Sequence, residues 1–486
     1  MSADSLSHPD PTATYRSPLA ARYASRPMQE NFSERRRALV WRDLWIALAE
    51  SERELGLDVP EEAIAAMREH RDDLDLARVA ELESELRHDV MAHVHAFGEV
   101  APAAKPFLHL GATSCFVADG SDLVLMRDGL DLLRARLVQV IRDLAGFCRE
   151  HADLPVLGFT HFQPAQPTTL GKRAGLWLQD LVMDLGEVER IRDELPFRGV
   201  KGTTGTQASF LQLFGGDHDK VRELDRRVTE RMGFRRSVAL TGQTYPRKWD
   251  GRVLGVLSGI AASAAKFAVD LRLMAHRREL EEPFGKKQIG SSAMPYKRNP
   301  MRAERVTALS RYLLHLTPNA LDTASNQWLE RTLDDSANRR LAIAESFLAA
   351  DAVLVLLQDL AAGLVPYPKV IAANLRRELP FFATESILMA AVQAGGDRQD
   401  LHERIRVHAQ EAATRLKTGD GVNDLLERIA ADPAFAAVAD RLDDLTEPSR
   451  FVGRAPEQVR DYLAEVVEPL LAERADVRPP EGAVRV

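Results

Sequence analysis

A heptad-spaced run of apolar residues in the middle of the chain restricts the possible fold more than any other feature of the sequence. Its members follow one another at alternating steps of three and four positions: Leu123, Met126, Leu130, Leu133, Leu137, Val140, Leu144 and Phe147. This is the spacing of a coiled-coil seam. We expect this run, after the cap-like "ADGSD", to form one helix of about 30 residues, which is about 45 Å long at 1.5 Å per residue.

Other stretches repeat the helical pattern at similar length. A second helix is predicted over 171–195 and a third over 249–282. Another is predicted over "DDSANRRLAIAESFLAADAVLVLLQDLAAG", ended by Gly363. Four or five such helices make a long bundle, so the predicted fold class is all-α. Their wide apolar faces would be costly to leave in water, which predicts association into an oligomer.

Changes in this pattern divide the chain into three predicted domains. Residues 1–115 form an N-terminal helical domain, with a polar, flexible tail over 1–15. Residues 116–365 form the central bundle and include a mobile polar loop over 283–300. Residues 366–486 form a small C-terminal domain of shorter helices, broken by glycines.

The composition excludes several classes of protein. A net charge of −8 argues against broad binding to nucleic acid or to an anionic membrane. Two cysteines, Cys115 and Cys148, exclude a disulfide framework and favour a reducing compartment. The N-terminal residues lack the apolar core of a signal peptide, and no apolar run is expected to span a bilayer. The sequence therefore predicts a soluble, cytoplasmic protein.

The sequence lacks the motifs that are typical of metal sites and of covalent catalysis. His88, His93 and His95 form the densest histidine group, but no further spaced Cys or His stands nearby to complete a zinc site. There is no G-x-S-x-G, no Walker sequence and no convincing dinucleotide fingerprint. We therefore predict no metal and no cofactor.

Polar loops at the ends of the predicted helices are the remaining candidates for chemistry. The segment "GSSAMPYKRNP" (290–300) places two adjacent hydroxyls, a lysine, an arginine and an asparagine between a glycine and a proline. Taken singly, such loops are ordinary turns and caps. Taken together, they favour a shared site that binds a small anion. His88 and His161 could each act as an acid or base there, and the residues alone do not rank the two.

Several of these loops carry a family resemblance. "GSSAMPYKRNP" is similar to the GSSxMPxKxNP sequence of the fumarase/aspartase superfamily. With "HLGATS", "GFTHFQPAQPTT", "TGQTY" and "WLERTLDDSANRR", the chain resembles the adenylosuccinate lyase family over roughly residues 15 to 470, most closely in its animal form. The resemblance implies a cofactor-free lyase that releases fumarate from adenylosuccinate and from SAICAR in purine biosynthesis. It also implies a homotetramer whose active sites are shared between subunits.

The resemblance assigns roles that the chemistry requires. An elimination needs a base for the proton next to a carboxylate, an acid for the leaving nitrogen, and positive charge for the carbanion-like intermediate. By resemblance, Ser291 is the base, His161 is the acid and Lys297 stabilises the intermediate. The positions that match substrate-binding residues are Arg22, Tyr23, Arg87, His88, Asp89, Thr113, Ser114, Gln243, Asn299, Arg305, Arg331, Ser336 and Arg340.

Two alternatives stay open at this point. Another lyase of the superfamily, such as an argininosuccinate lyase, would share the loop sequence, but its substrate carries no phosphate to engage so many arginines. A non-catalytic helical scaffold could keep the fold without the reaction. The presence of Ser291, His161 and Lys297 argues against such a scaffold.

Overall fold

Helices dominate the structure, a computed structural model that describes residues 13–419, 421–482 and 484. The α-helices are α1 (Arg26–Asn31), α2 (Glu34–Glu54), α3 (Glu61–Glu69), α4 (Leu76–Leu86), α5 (Asp89–Val100), α6 (Ser114–Glu150), α7 (Leu170–Glu194), α8 (Ala208–Leu213), α9 (His218–Arg231), α10 (Lys248–His276), α11 (Met301–Ser325), α12 (Asp334–Gly363), α13 (Pro368–Phe382), α14 (Thr384–Gln393), α15 (Arg398–Thr418), α16 (Leu425–Ala431), α17 (Leu442–Leu445), α18 (Ala455–Tyr462) and α19 (Glu468–Ala472). Short helical turns cover Leu19–Tyr23, Pro102–Ala104, Pro433–Phe435, Ala439–Arg441, Pro448–Phe451 and Leu463–Val467. Most of the predicted tail over 1–15 lies outside the described residues.

Two small antiparallel sheets accompany the helices in the described part of the chain. Strands β1 (Pro155–Thr160) and β2 (Gln163–Thr169) form a hairpin, and β3 (Leu280–Glu281) pairs with β4 (Val365–Pro366). The third predicted helix therefore ends at His276 rather than near residue 282, because the chain leaves the helix to pair with the segment after α12. The prediction of an all-α fold class is confirmed, and these strands are short additions to it.

The centre of the molecule is a bundle of α6, α7, α10, α11 and α12. Every member of the heptad run is buried in α6, as its spacing predicts. Helix α6 is longer than expected, with 37 residues, and contains the "ADGSD" segment that resembled a cap. This segment stays helical because its polar side chains have partners inside the bundle. For example, Ser121 Oγ accepts a hydrogen bond of 2.9 Å from Trp41 Nε1.

Two large apolar clusters fill most of the described interior, and a small third one lies between α4 and α5. The larger cluster joins α2 and α3 to the five bundle helices, and the smaller one lies among α14–α17. The break between the two clusters lies after α13, in the same part of the chain as the last predicted domain boundary. The division of the chain into three domains stays a prediction.

Helices α10 and α12 are long and apolar enough, by length and composition alone, to cross a membrane. The prediction that no apolar run reaches this length is therefore wrong. Within the most apolar 18-residue window, 78% of α12 and 50% of α10 are buried by the rest of the chain. A helix buried in a protein core can be as apolar as a membrane span. Packing inside the bundle thus accounts for the apolar composition of these two helices.

Close packing of α6 on α12 can be tested with two glycines of the same helix. A Cβ at Gly129 would lie 2.7 Å from Phe347 Cδ1, whereas a Cβ at Gly146 would meet nothing within 4 Å. We expect Gly129→Ala to lower the free energy of unfolding by about 1–3 kcal/mol through overpacking. We expect Gly146→Ala to raise it by about 0.5–1 kcal/mol through the helix propensity of alanine. Urea unfolding would measure both, and shifts of the same sign would contradict this packing.

Candidate active site

Several predicted site residues meet where α4, α5, α6 and α12 approach one another. His88 precedes α5, and its Nδ1 accepts a hydrogen bond of 3.3 Å from the Met91 amide. The other ring nitrogen of His88 lies 3.3 Å from Ser114 Oγ at the start of α6. Arg340 of α12 donates to Asp89 Oδ2 at 2.9 Å, and not to Asp334 or Asp335, which stand nearer in sequence. These contacts join three separate segments of the chain.

A cavity of about 440 Å³ opens beside this junction. Its lining includes four of the predicted substrate-binding residues: Asp89, Arg331, Ser336 and Arg340. Arg331 Nη1 donates to Asp335 Oδ1 at 2.9 Å, and this contact fixes one edge of its guanidinium. Because a guanidinium has five N–H donors, others stay available to a ligand. We give the name α5–α12 cluster to the following residues: His88, Asp89, Ser114, Gln243, Arg331, Ser336 and Arg340.

Gln243 lies where its own loop packs against the loops of Glu330 and Thr203. Its amide N–H donates to the Glu330 carbonyl at 2.9 Å, and its side-chain Nε2 donates to the Thr203 carbonyl at 3.0 Å. A Cβ at Gly205 would lie 1.9 Å from the Thr241 carbonyl oxygen, and one at Gly242 would lie 2.5 Å from the Glu330 carbonyl oxygen. Only glycine fits at both positions, which explains the glycines in "KGTTGTQ" and "TGQTY".

A buried network of charges supports the α5–α12 cluster from behind. Arg247 donates two hydrogen bonds of 3.0 Å to Asp119 of α6 and one of 2.7 Å to Asp335 of α12. Arg339 of α12 donates to Asp250 of α10 at 2.7 Å and pairs with Asp122 of α6 at 2.9 Å. Sequence reasoning missed this network. The available signal was the concentration of acidic residues in "ADGSD" and "TLDDS", which we interpreted as caps and loops.

Asp122 stays ionised within this network although it is buried. Burial acts to raise the pKa of Asp122, but Arg37 and Arg339 outweigh it and lower the value to about 2. Burial raises the pKa of Tyr245 well above its usual value, so its neutral hydroxyl donates to Asp250 Oδ1 at 2.5 Å. Arg37 and Arg339 therefore keep a charged partner in Asp122 over the physiological pH range.

A second group of predicted residues lies at the N-terminal segment. Arg22 and Tyr23 belong to the helical turn Leu19–Tyr23, which packs against α12. The guanidinium carbon of Arg305, near the start of α11, lies 5.6 Å from the centre of the Tyr23 ring. This cation–π distance brings Arg305 next to Tyr23, in the segment that also carries Arg22.

A third group is the polar loop that precedes α11. Ser291 Oγ accepts a hydrogen bond of 3.1 Å from the Met294 amide, and Asn299 Nδ2 donates to the Gly290 carbonyl at 2.7 Å. The loop thus folds back on itself. Lys297 and Asn299 line a separate cavity of about 500 Å³ with His276 and Glu304. Among the described residues, no hydrogen bond joins Ser291 to Lys297 or to His161.

His161 stands alone at the tip of the β1–β2 hairpin. His161 and Phe162 form its two-residue turn, with φ angles of 51° and 58°. Positive φ at both positions is the geometry of a type I′ turn, which asparagine and glycine normally occupy. Strained backbone of this kind is concentrated at functional sites. The hairpin therefore presents an exposed imidazole on a rigid support, at a position the sequence suggested to be a loop.

Two predicted residues and the histidine group remain to be placed. Arg87 follows α4 in a left-handed conformation, with φ of 53°, and Thr113 immediately precedes α6. Burial lowers the pKa of His93 to about 4, and its half-buried ring lies edge-on to Trp41 at 4.8 Å in the lining of the cavity. Within the described ranges, no group of three or more His, Cys, Asp or Glu residues is arranged to hold a metal ion.

Comparisons with known proteins place the chain in a family. A family model described as a lyase matches residues 21–312, and one described as the adenylosuccinate lyase C-terminus matches residues 380–462. The adenylosuccinate lyase of Saccharomyces cerevisiae is 56% identical over 452 residues, which make up 92% of this chain and 94% of that protein. The chain belongs to the adenylosuccinate lyase family.

Two further similarities support the family and the fold. The adenylosuccinate lyase of Schistosoma mansoni is 50% identical, over 94% of this chain and 96% of its own. The resemblance to the animal form is therefore confirmed. The crystal structure of the 3-carboxy-cis,cis-muconate lactonizing enzyme from Pseudomonas putida matches with a TM-score of 0.81 at 24% identity, over 94% of this chain and 100% of that one. At this identity the match shows the shared fold alone.

The buried network makes a stability prediction for the adenylosuccinate lyase fold. Replacing Arg247 by methionine leaves Asp119 and Asp335 buried without their shared partner. We expect Arg247→Met to lower the free energy of unfolding by about 3–5 kcal/mol. The control is Arg26→Met, which removes an ion pair to Glu30 on the exposed surface and should barely move the denaturation midpoint. A small effect for Arg247→Met would show that the network does not hold the three helices together.

Proposed function

We propose that this chain is a carbon–nitrogen lyase that eliminates fumarate from adenylosuccinate, leaving AMP, and from SAICAR, leaving AICAR, in purine nucleotide biosynthesis. The observation that carries the proposal is the 56% identity, over 92% of the chain, to the adenylosuccinate lyase of Saccharomyces cerevisiae. The predicted acid, base and stabilising residues are present in this sequence. We propose that the reaction proceeds with these side chains alone and without a cofactor.

In the proposed mechanism, Ser291 takes the proton from the carbon next to a succinyl carboxylate. The electrons of that C–H bond form the new double bond of fumarate, and the C–N bond breaks with its electron pair on nitrogen. His161 protonates that nitrogen, and Lys297 stabilises the negative charge of the intermediate. The hydrogen bond of 3.1 Å from the Met294 amide to Ser291 Oγ supports this role, since a donor to the oxygen favours its ionised form.

We assign the nucleotide end of the substrate to the arginines of the α5–α12 cluster and of the N-terminal segment. Arg331 and Arg340 line the cavity and are each held on one side by a carboxylate. Oriented guanidinium groups are suited to bind a phosphate through paired hydrogen bonds. The substrate of an argininosuccinate lyase carries no phosphate. These arginines therefore favour a nucleotide substrate over argininosuccinate.

We also propose a homotetramer in which each active site uses residues from three subunits. The separate locations of Ser291, His161 and the α5–α12 cluster in one chain support sharing. Apolar side chains on the bundle are exposed in the single chain: Leu176, Met183, Val269, Leu273, Leu314, Leu321 and Leu341. Exposed apolar side chains repeated along packed helices are typical of a subunit interface. The two buried, unpaired cysteines are in keeping with the proposed cytoplasmic location.

A fumarate-release assay tests the reaction. Purified protein is mixed with adenylosuccinate, and the products are followed by ultraviolet absorbance and chromatography. We expect fumarate and AMP from the wild type, and turnover lowered at least about 10³-fold in Ser291→Ala and in His161→Ala. Light scattering should show the same assembly for all three proteins. Cleavage of argininosuccinate instead would overturn the nucleotide assignment, and an active Ser291→Ala enzyme would overturn the assignment of the base.

Mixing the two inactive variants tests whether the sites are shared. If Ser291 and His161 of one site come from different subunits, mixed tetramers contain some sites with both groups intact. After mild dissociation and reassembly of equal amounts, we expect recovery of up to about a quarter of wild-type activity. Each variant treated alone in the same way is the control. No recovery, with mixed assemblies shown by mass spectrometry, would place both groups of a site on one subunit.

A further inference from the structure

The C-terminal segment 478–482 crosses a buried polar cluster that lies under the N-terminal segment. Arg136 of α6 is fully buried, and its Nη2 donates to the Pro480 carbonyl at 3.4 Å. A Cβ at Gly482 would lie 2.8 Å from Arg136 Nη2 and 3.2 Å from Ser25 Cβ, so the chain touches both residues. On either side of this segment, Val477 and Val484 pack against the main apolar core. We call residues 478–482 the strap.

Below the strap, Arg136 belongs to a chain of polar contacts that ends at Ser25. Its Nε lies 3.4 Å from Asp351 Oδ1, and its Nη1 donates to Gln358 Oε1 at 3.0 Å, both on α12. The other oxygen of Asp351 accepts a hydrogen bond of 2.5 Å from the Ser25 amide. Arg136 and Asp351 are completely buried, so each depends on a small number of partners. The strap supplies one of these partners for Arg136.

The position of Ser25 matters because Arg22 and Tyr23 stand just before it. They lie in a helical turn of five residues, which is too short to be stable by itself. Its location must therefore come from tertiary contacts. Two of these are the buried Leu19 side chain and the Ser25–Asp351 hydrogen bond. The guanidinium of Arg305, 5.6 Å from the Tyr23 ring, faces the same segment.

We propose that the strap and Arg136 position Arg22 and Tyr23 for the nucleotide end of the substrate, through Asp351 and Ser25. Arg136 is a positioning residue and does not touch the substrate. This inference rests on the proposed function, since it concerns the affinity of the same site. Loosening the strap lets the Leu19–Ser25 segment move, and it weakens contacts that ground state and transition state share. Such a change raises KM and leaves kcat almost unchanged.

Two variants loosen the strap in different ways. Gly482→Leu places a side chain where a Cβ already comes within 2.8 Å of Arg136. A chain that ends after Val477 removes the strap altogether. The matched control is Ala475→Leu, which adds three carbons instead of four at an exposed position of the same terminal segment. For both strap variants we expect KM for adenylosuccinate to rise about tenfold and kcat to stay within about twofold of the wild type, with no change in the control.

Hydrogen–deuterium exchange provides a readout that needs no substrate. The Ser25 amide is hydrogen-bonded to a buried carboxylate, so peptides covering 19–31 should exchange slowly in the wild type. We expect faster exchange there in both strap variants and not in Ala475→Leu. Unchanged exchange, an unchanged KM, or an equal effect of the control would each overturn the role of the strap. Absence of fumarate release from the wild type would instead overturn the proposed function, which separates the two failures.

Discussion

The double ion pair of Arg247 with Asp119 and Asp335 is the interaction on which the rest of the structure depends. It joins the start of α6 to the start of α12, and its neighbour Arg339 extends the connection to α10. Each charge is buried, so each would be costly without the others. The network joins the ends of three long helices to one another. The α5–α12 cluster lies next to those helix ends. The packing of the bundle therefore sets the positions of its arginines.

The length of the bundle explains why the α5–α12 cluster lies apart from the Ser291 loop and the β1–β2 hairpin, which both adjoin the end of α10. Helix α6, with 37 residues, extends about 55 Å at 1.5 Å per residue. Loops at opposite ends of such helices cannot meet within one subunit. Antiparallel association of bundles would bring the end of one chain beside the far end of another. The exposed apolar faces of α7, α10 and α11 provide the surface for that arrangement, which remains our proposal.

The sequence predicted the fold well wherever a pattern depends on local periodicity. The heptad run of α6 and the apolar spacing of α7 determine burial along a single helix. Helix α7 has the predicted limits to within one residue, whereas α6 begins nine residues before its predicted start. The network of Arg247 could not be predicted, because its partners are far apart in the chain and only the packed bundle brings them together. The β1–β2 hairpin was missed for a different reason. Its turn contains His161 and Phe162 in place of the asparagine and glycine that signal such a turn. The candidate site residues were found through resemblance, and their grouping required the structure.

Helix α12 connects the two parts of the site that would hold the nucleotide. Arg340 lies near its start, and Asp351, which binds the Ser25 amide, lies about 16 Å further along at 1.5 Å per residue. A buried helix changes its length very little, so this spacing is nearly constant. The short N-terminal turn is not stable by itself. Its contacts to the rest of the chain include the buried Leu19 side chain and the Ser25–Asp351 hydrogen bond, to which we add the strap. The affinity of the site should therefore be more sensitive to changes at the strap than its chemistry is, since Ser291 and His161 are carried by other elements.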